Sequence, residues 1–175
     1  MKIKANIMDS VAIDRAMMRI SHEIVEKNAG VENLYLVGIK SRGVPLAYRI
    51  AKNIKDAYKI DVPVAQLDTS QFRDDIDNKG RKFANLPFDV NGAIIVLVDD
   101  VLSTGRTVRA GIEGIIAEGR PKCIELAVLV DRGHRELPIR ADFVGKNLPT
   151  SVSEVVNVTL EECDGVSSVV LYDAN

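Results

Sequence analysis

The stretch that decides the fold is Ile94-Ile95-Val96-Leu97-Val98-Asp99-Asp100-Val101-Leu102-Ser103-Thr104-Gly105-Arg106-Thr107. Its first five residues are branched and apolar, which is typical of a strand buried on both faces of a parallel sheet. The pattern predicts a polar turn over residues 99–105 and then a helix over residues 106–118, with Gly119 just beyond its end. Strand, polar turn and helix together are the repeating unit of an α/β fold.

The same alternation continues on both sides of this stretch. Helices are predicted from Ser10 to Asn28 and from Pro45 to Ile54. Strands are predicted over residues 34–39, 62–67, 124–130, 142–144, 155–160 and 168–172. Residues 70–91 are rich in charge, Asn and Gly without a sustained period, and we interpret them as a long mobile loop. The chain, residues 1–175, is therefore expected to form a single α/β domain with a mainly parallel sheet flanked by helices.

Composition excludes several classes of protein. Of the 175 residues, 46% are hydrophobic and 27% are charged, as in an average globular protein, which disfavours disordered and collagen-like chains. No apolar run approaches the roughly 18 residues needed to cross a bilayer, so we expect a cytoplasmic protein with no membrane partner. The two cysteines, Cys123 and Cys163, form no CxxC or Cys/His cluster, which argues against a disulfide framework and against structural zinc.

The net charge of −2 conceals an uneven distribution along the chain. Residues 1–60 carry 11 Lys and Arg against 6 Asp and Glu, whereas residues 147–175 carry none against 5. A mildly acidic molecule could therefore present a local basic face, although strong nonspecific binding of nucleic acid is disfavoured.

The residues after the buried strand combine two kinds of ligand group. Asp99 and Asp100, at the carboxyl end of a strand, are suited to accept hydrogen bonds from a vicinal diol or to orient a hydrated Mg²⁺. The turn from Ser103 to Thr107 offers hydroxyls, backbone N–H groups and a helix N-terminus, which together favour phosphate. Neither GxxxxGK[ST] nor GxGxxG occurs here, so NTPase and dehydrogenase interpretations are weak. The combination predicts a site for a ribose 5-phosphate.

These residues resemble the phosphoribosyl diphosphate (PRPP) motif of type I phosphoribosyltransferases. The resemblance implies that family's fold, with a small hood over the parallel sheet, and an enzyme that uses Mg²⁺ with PRPP. It implies catalytic roles for Asp99, Asp100 and Arg42, with both acids meeting the metal through water. The implied PRPP-binding residues are Val98, Asp99, Asp100, Val101, Leu102, Ser103, Thr104, Gly105, Arg106 and Thr107. The implied pyrophosphate loop is Lys40, Ser41, Arg42 and Gly43, and Arg73 lies in the implied mobile loop.

A narrower resemblance extends over nearly the whole chain. The segments Arg19–Ile24, Val37–Gly43, Phe72–Asp75, Leu126–Asn147 and Pro149–Ser151 are similar to those of the PyrR family of bacterial pyrimidine-operon regulators. That family implies a uracil phosphoribosyltransferase that also binds pyrimidine-operon leader mRNA when UMP or UTP is present and so favours transcription termination. It also implies a homodimer or higher homo-oligomer.

The resemblance extends to candidate residues for base and RNA. Base-binding candidates are Arg132, Phe143 and Val144, and RNA-binding candidates are Arg19, His22, Lys27, Arg135, Arg140 and Lys146. The hypoxanthine-guanine enzymes carry an acid where this chain has Ser103, which disfavours purine salvage. Two alternatives stay open: a salvage phosphoribosyltransferase for uracil or a purine without an RNA function, and an RNA-binding regulator with a nucleotide pocket but little turnover.

Overall fold

The computed structural model describes residues 1–74 and 83–174. Along the chain its strands and helices are β1 (Lys2–Met8), α1 (Ser10–Lys27), β2 (Leu34–Ile39), α2 (Gly43–Tyr58), β3 (Val64–Leu67), β4 (Ile94–Leu102), α3 (Arg106–Glu118), β5 (Cys123–Asp131), β6 (Phe143–Asn147), β7 (Glu154–Thr159), α4 (Glu161–Asp164) and β8 (Ser168–Asp173). Within this part of the chain a five-stranded parallel sheet has the order β3-β2-β4-β5-β6. None of the helices described here has the length and apolarity needed to span a bilayer.

The core lies on both faces of this sheet. Along β4, Val96 and Val98 pack on the face covered by α1 and α2, while Ile95 and Leu97 pack on the face covered by α3. Because successive side chains of a strand point to opposite faces, a run of apolar residues fits a strand that is covered twice. The α/β fold with a parallel sheet flanked by helices is thus confirmed. In open α/β sheets ligands bind at the carboxyl ends of the strands, which here is the edge formed by β4 and its neighbours.

A smaller antiparallel sheet, which we call the hood, has the order β1-β8-β7. Strand β1 is not among the predicted strands, although its alternation of Lys2, Lys4 and Asn6 with apolar residues is typical of a half-exposed strand. The hood packs on the first core face, because Val158 and Val169 belong to the same apolar cluster as α1. A long-range partner, β8, therefore stabilises a segment whose own residues are mostly exposed.

Two element boundaries differ from the predicted ones. The predicted polar turn at 99–105 is too long, because β4 continues through Leu102, which faces Asp131 of β5 and is 1% exposed. The acids are thus part of a strand, and the turn proper starts at Ser103. Helix α2 begins at Gly43, two residues before Pro45, since a proline in the first helical turn costs no intrahelical hydrogen bond.

The predicted mobile loop is anchored at both of its ends. Ser70–Phe72 forms a short 3-10 helix whose Phe72 ring is buried against Gly114 of α3. Further along, the ring of Phe88 stacks on Tyr35 of β2 with centroids 4.1 Å apart. The middle of the predicted loop, residues 75–82, lies outside the described residues.

Candidate active site

The acid pair lies at the carboxyl end of β4. Asp99 is 7% exposed and accepts a hydrogen bond from the N–H of Asp100 at 2.9 Å, while Asp100 accepts one from the N–H of Val101 at 2.8 Å. Burial, and then the neighbouring charge of Asp100, raises the pKa of Asp99 well above its usual range. Burial therefore disfavours the charged form of Asp99, whereas Asp100 is only half-buried.

The turn after the acids, residues 103–107, is the predicted phosphate site, and we call it the phosphate cradle. Gly105 has φ of +91°, a left-handed conformation that favours glycine, and it precedes the first residue of α3. Gly105 has no side chain to cap the helix, and of the first-turn N–H groups that of Arg106 donates to Thr104 Oγ1 at 3.3 Å. A helix N-terminus of this kind binds anions through its N–H groups and its dipole.

One cavity of about 660 Å³ opens beside the cradle, and we call it the anion cavity. It brings together residues from the predicted pyrophosphate loop, the predicted mobile loop and the cradle, namely Lys40, Thr69, Arg73, Asp74, Thr104, Arg106 and Thr107. Three of these side chains are cationic. Groups separated by more than 60 positions in sequence thus surround one space that suits a highly charged phosphate ligand.

The predicted pyrophosphate loop joins β2 to α2. Gly43 lies so close to the carbonyl of Val98 that a Cβ there would overlap it, which requires glycine and fixes the loop against the acid-bearing strand. The peptide between Lys40 and Ser41 is cis. Lys40 lines the anion cavity, with its Nζ 3.9 Å from Asp68.

Arg42, predicted to be catalytic, does not line the anion cavity. Its guanidinium donates to Asp164 of α4, the short helix that connects β7 and β8 of the hood, from Nε at 3.1 Å and from Nη2 at 2.9 Å. That ion pair, with a further hydrogen bond from the N–H of Leu160, lowers the pKa of Asp164. Arg42 therefore ties the pyrophosphate loop to the hood in this state of the molecule.

The three base-binding candidates are not brought to one place. Phe143 is 3% exposed, packs in the α1-side core and has the Nζ of Lys27 5.3 Å from its ring centroid, so its ring does not face the cleft. Val144 packs with the opposite, α3-side cluster. Arg132 lies at the carboxyl edge and donates to Thr150 Oγ1 at 3.1 Å and to the carbonyl of Glu154 at 2.7 Å. Only Arg132 of the three is at the ligand-binding edge.

The RNA-binding candidates lie on three segments, namely helix α1 (Arg19, His22, Lys27), the loop before β6 (Arg135, Arg140) and β6 itself (Lys146). Arg19 donates to the carbonyls of Val144 and Gly145 at 3.0 and 2.8 Å, and it shares a groove with Lys146. Arg15, which the sequence analysis did not single out, lines the same groove. The cations of this basic groove, Arg15, Arg19 and Lys146, are the ones that the structure gathers on one surface.

The other candidates are occupied or lie elsewhere. Lys27 pairs with Asp142 at 2.6 Å, which raises the pKa of Lys27. His22 is hydrogen-bonded to the Tyr58 hydroxyl at 2.8 Å. Arg135 points into its own loop, where it donates to Asp131 and to the carbonyl of Ser103. Arg140 is exposed, but its neighbours Ile139 and Ala141 pack on the α3 side of the sheet.

Sequence reasoning missed several polar residues at this edge. The loop Asp131–Arg140 contacts the cradle through Glu136, whose carboxylate pairs with Arg106 at 2.6 Å. Thr150 accepts from Arg132 and lies 2.8 Å, through its carbonyl, from His134 Nε2. These contacts join residues up to 30 positions apart across loops, so no local sequence pattern predicts them.

The donor set fits a Mg²⁺ ion that is held mainly by its ligand. Within residues 1–74 and 83–174 no cluster of three or more His, Cys, Asp or Glu side chains could cage a metal. Two adjacent carboxylates at a strand end match the usual protein share of a magnesium site that otherwise consists of water and phosphate oxygens.

Comparison with known proteins agrees with this geometry. The fold, the acid pair and the cradle define a phosphoribosyltransferase, and residues 5–162 match the family described as phosphoribosyl transferase domain. More narrowly, the chain belongs to the PyrR family. It is 58% identical to the bifunctional protein PyrR of Thermoanaerobacter sp. strain X514, with 99% of each chain covered. It is 55% identical to the bifunctional protein PyrR of Thermus thermophilus, with 99% of this chain and 98% of the relative covered.

Solved structures support the fold. The hypoxanthine phosphoribosyltransferase of Trypanosoma cruzi superposes with a TM-score of 0.74 at 16% identity, covering 100% of this chain and 98% of that one. A hypoxanthine-guanine phosphoribosyltransferase of Bacillus anthracis gives 0.72 at 15% identity, with 98% of both chains covered. The type I phosphoribosyltransferase fold predicted from the sequence is thus confirmed.

Proposed function

We propose that the protein transfers the phosphoribosyl group of PRPP to uracil, giving UMP and pyrophosphate. The observation that carries this proposal is the continuity of the acid pair on β4 with the phosphate cradle, which lines an anion cavity that Lys40 and Arg73 also line. Ribose hydroxyls, a 5-phosphate and a pyrophosphate each find groups of matching chemistry there. Membership of the PyrR family, whose relatives are named bifunctional, supports uracil rather than a purine as the base.

Each part of the reaction is assigned to particular residues. Asp100, assisted by Asp99, accepts hydrogen bonds from the ribose diol and stabilises the positive charge that develops at C1. The N–H groups of the cradle hold the 5-phosphate. Lys40 and Arg73 balance the charge of the departing pyrophosphate. The C1–O bond breaks with its electron pair leaving on pyrophosphate, the bond from C1 to uracil N1 forms, and the N1 proton is released.

Mg²⁺, bound with PRPP, would neutralise pyrophosphate oxygens and would meet Asp99 and Asp100 through water. Both acids belong to β4 and precede the turn to the cradle, which positions them to orient that water.

We further propose that the protein is a UMP- or UTP-responsive regulator that binds the leader mRNA of a pyrimidine operon and promotes transcription termination. The basic groove supports this role, since its three cations are spaced along α1 and β6 and suit the phosphates of a folded RNA. Such a role requires a cytoplasmic location, where the transcript is made. Self-association as a homodimer or higher homo-oligomer stays a prediction.

Two assays test the two halves of this function. Mg²⁺-dependent conversion of labelled uracil to UMP with PRPP is expected, and its absence would reduce the protein to a regulator without turnover. Filter binding to a pyrimidine-operon leader should tighten when UMP or UTP is added. If neither UMP nor UTP changes RNA binding, the regulatory role is contradicted and a salvage enzyme is favoured.

A further inference from the structure

Arg106 occupies an unusual place for a cation. It is the first residue of α3, where the helix dipole and the first-turn N–H groups already supply positive charge, so a guanidinium there is disfavoured by the helix itself. Two carboxylates from two different loops compensate it: Glu136 accepts from Nε at 2.6 Å, and Asp74 accepts from Nη1 at 2.7 Å. Those two contacts raise the pKa of Arg106.

Glu136 is also part of the scaffold around the cradle. Its own N–H donates to the carbonyl of Thr104 at 3.0 Å, and the N–H of Leu137 donates to the same oxygen at 3.2 Å. Glu136 therefore touches the phosphate cradle twice, once through its backbone and once through its side chain on Arg106. The loop that carries it, Asp131–Arg140, contains three of the candidate base- and RNA-contacting cations and His134.

The guanidinium of Arg106 faces two competing kinds of anion. It lines the anion cavity with Thr104 and Thr107, where a nucleotide phosphate would bind, and it is held at the same time by Glu136. A dianionic phosphate on a helix N-terminus is a stronger partner for a guanidinium than a half-exposed carboxylate. Both side chains of the pair are about half exposed, so the contact is weak enough to be exchanged.

We propose that Glu136 is a positioning residue that couples the phosphate cradle to the loop Asp131–Arg140. A nucleotide phosphate in the anion cavity displaces Glu136 from Arg106, and the loop, which loses this contact but keeps that of Arg135 with the carbonyl of Ser103, adopts the arrangement that binds RNA. The inference rests on the proposed function and adds to it the contacts through which UMP binding in the anion cavity changes RNA binding. Both ligands then favour the same released state, which makes their binding mutually reinforcing.

The variant Glu136→Gln tests this link, because it keeps the size and the backbone contacts of the side chain while removing its charge. Asp74 still pairs with Arg106 in the variant. We expect UMP, titrated calorimetrically into the full chain, to bind about twofold to fivefold more tightly, the range for exchange of an exposed ion pair. RNA affinity without UMP should rise by a similar factor, and the gain from adding UMP should shrink correspondingly.

Glu113→Gln is the matched control. Glu113 pairs with Arg109 on the same helix at 2.7 Å, its side chain is exposed to a similar degree, and its loss changes the net charge equally. It does not line the anion cavity. UMP and RNA affinities should therefore stay at the wild-type values, and an equal effect of both variants would assign the result to bulk charge and overturn the proposal.

The outcomes separate this inference from the proposed function. If the wild-type protein shows UMP-dependent RNA binding and Glu136→Gln retains the full dependence with unchanged UMP affinity, the inference alone fails. If the wild-type protein binds UMP but no RNA, the regulatory function fails, and with it the coupling. Tighter UMP binding, stronger RNA binding without UMP and a reduced UMP response, all in Glu136→Gln alone, support the inference.

Discussion

The phosphate cradle and the predicted RNA-binding cations differ in where their binding groups come from. The cradle uses backbone N–H groups of consecutive residues at the start of α3, which have no other partner in the helix. The RNA candidates are long side chains, and Arg19, Lys27 and Arg135 each bond carbonyls or carboxylates of the protein itself. A phosphate site built from backbone can be inferred from a short run of sequence. A cationic surface cannot be inferred in this way, because each cationic side chain can instead bond an acceptor of the protein itself.

The largest effect is expected for Asp100→Asn, which tests the acid pair that precedes the cradle. We expect kcat/KM for PRPP to fall about 10²-fold, because a charge that stabilises the developing cation at C1 is lost. The free energy of unfolding should change by less than about 1 kcal/mol, since the Asn oxygen can still accept from Val101. Steady-state kinetics and urea denaturation measure the two effects. Asp56→Asn, which removes an exposed acid of α2, is the control, and equal kinetics in the two variants would contradict the assigned role.

The next effect concerns the packing behind the cradle. Gly43→Ala places a Cβ against the carbonyl of Val98, and the strand that carries the acids must shift. We expect a loss of about 1–3 kcal/mol in the free energy of unfolding, together with reduced PRPP use. Gly92→Ala is the comparison variant, because it introduces backbone strain without steric overlap. The φ of Gly92 is +70°, and a Cβ there would meet no atom within 4 Å. A Gly43→Ala protein as stable as wild type would show that the pyrophosphate loop accommodates the added Cβ without loss of packing.

Asp99→Asn should stabilise the protein while impairing PRPP use. Since the folded-state pKa of Asp99 is raised, the folded protein holds a proton that the unfolded chain releases above about pH 4. The free energy of unfolding of the wild-type protein therefore falls as pH rises from the pKa of Asp99 in the unfolded chain towards its pKa in the folded protein. Asparagine does not titrate, so the variant does not lose this stability. Thermal unfolding at pH 7 and pH 4 measures it: the advantage of the variant should be larger at pH 7. A variant less stable than wild type at pH 7 would mean that Asp99 ionises favourably.

The smallest expected effect lies in the basic groove. Lys146→Gln should weaken leader RNA binding at every sequence tested and lower the slope of log affinity against log salt by about 1, as loss of one phosphate contact does. Lys122→Gln, an exposed lysine outside the groove, should change neither quantity. Identical salt slopes in wild type and Lys146→Gln would place the RNA elsewhere on the molecule.

The same contrast explains what could be predicted from the sequence. The strand and helix around the acids follow from local apolar patterns, and Gly43 and Gly105 take the places that the resemblance gave them. Phe143 could not be placed, because a period of two in a short edge strand does not say which face turns to the ligand. The contact between Arg106 and Glu136 depends on how a loop without regular structure crosses the sheet edge, which no local pattern encodes.

The pairing of β1 with β8 has a consequence for folding kinetics. Lys2 faces Asp173, so this pair of strands closes a far longer loop than any pair in the parallel sheet, where the pairing most distant in sequence joins β2 to β4. Loop-closure entropy makes such contacts late events. The parallel sheet, with its acid pair and cradle, should thus be assembled before the hood that Arg42 fastens to it. Amide exchange during refolding would then show protection in β4 and β5 ahead of protection in β1.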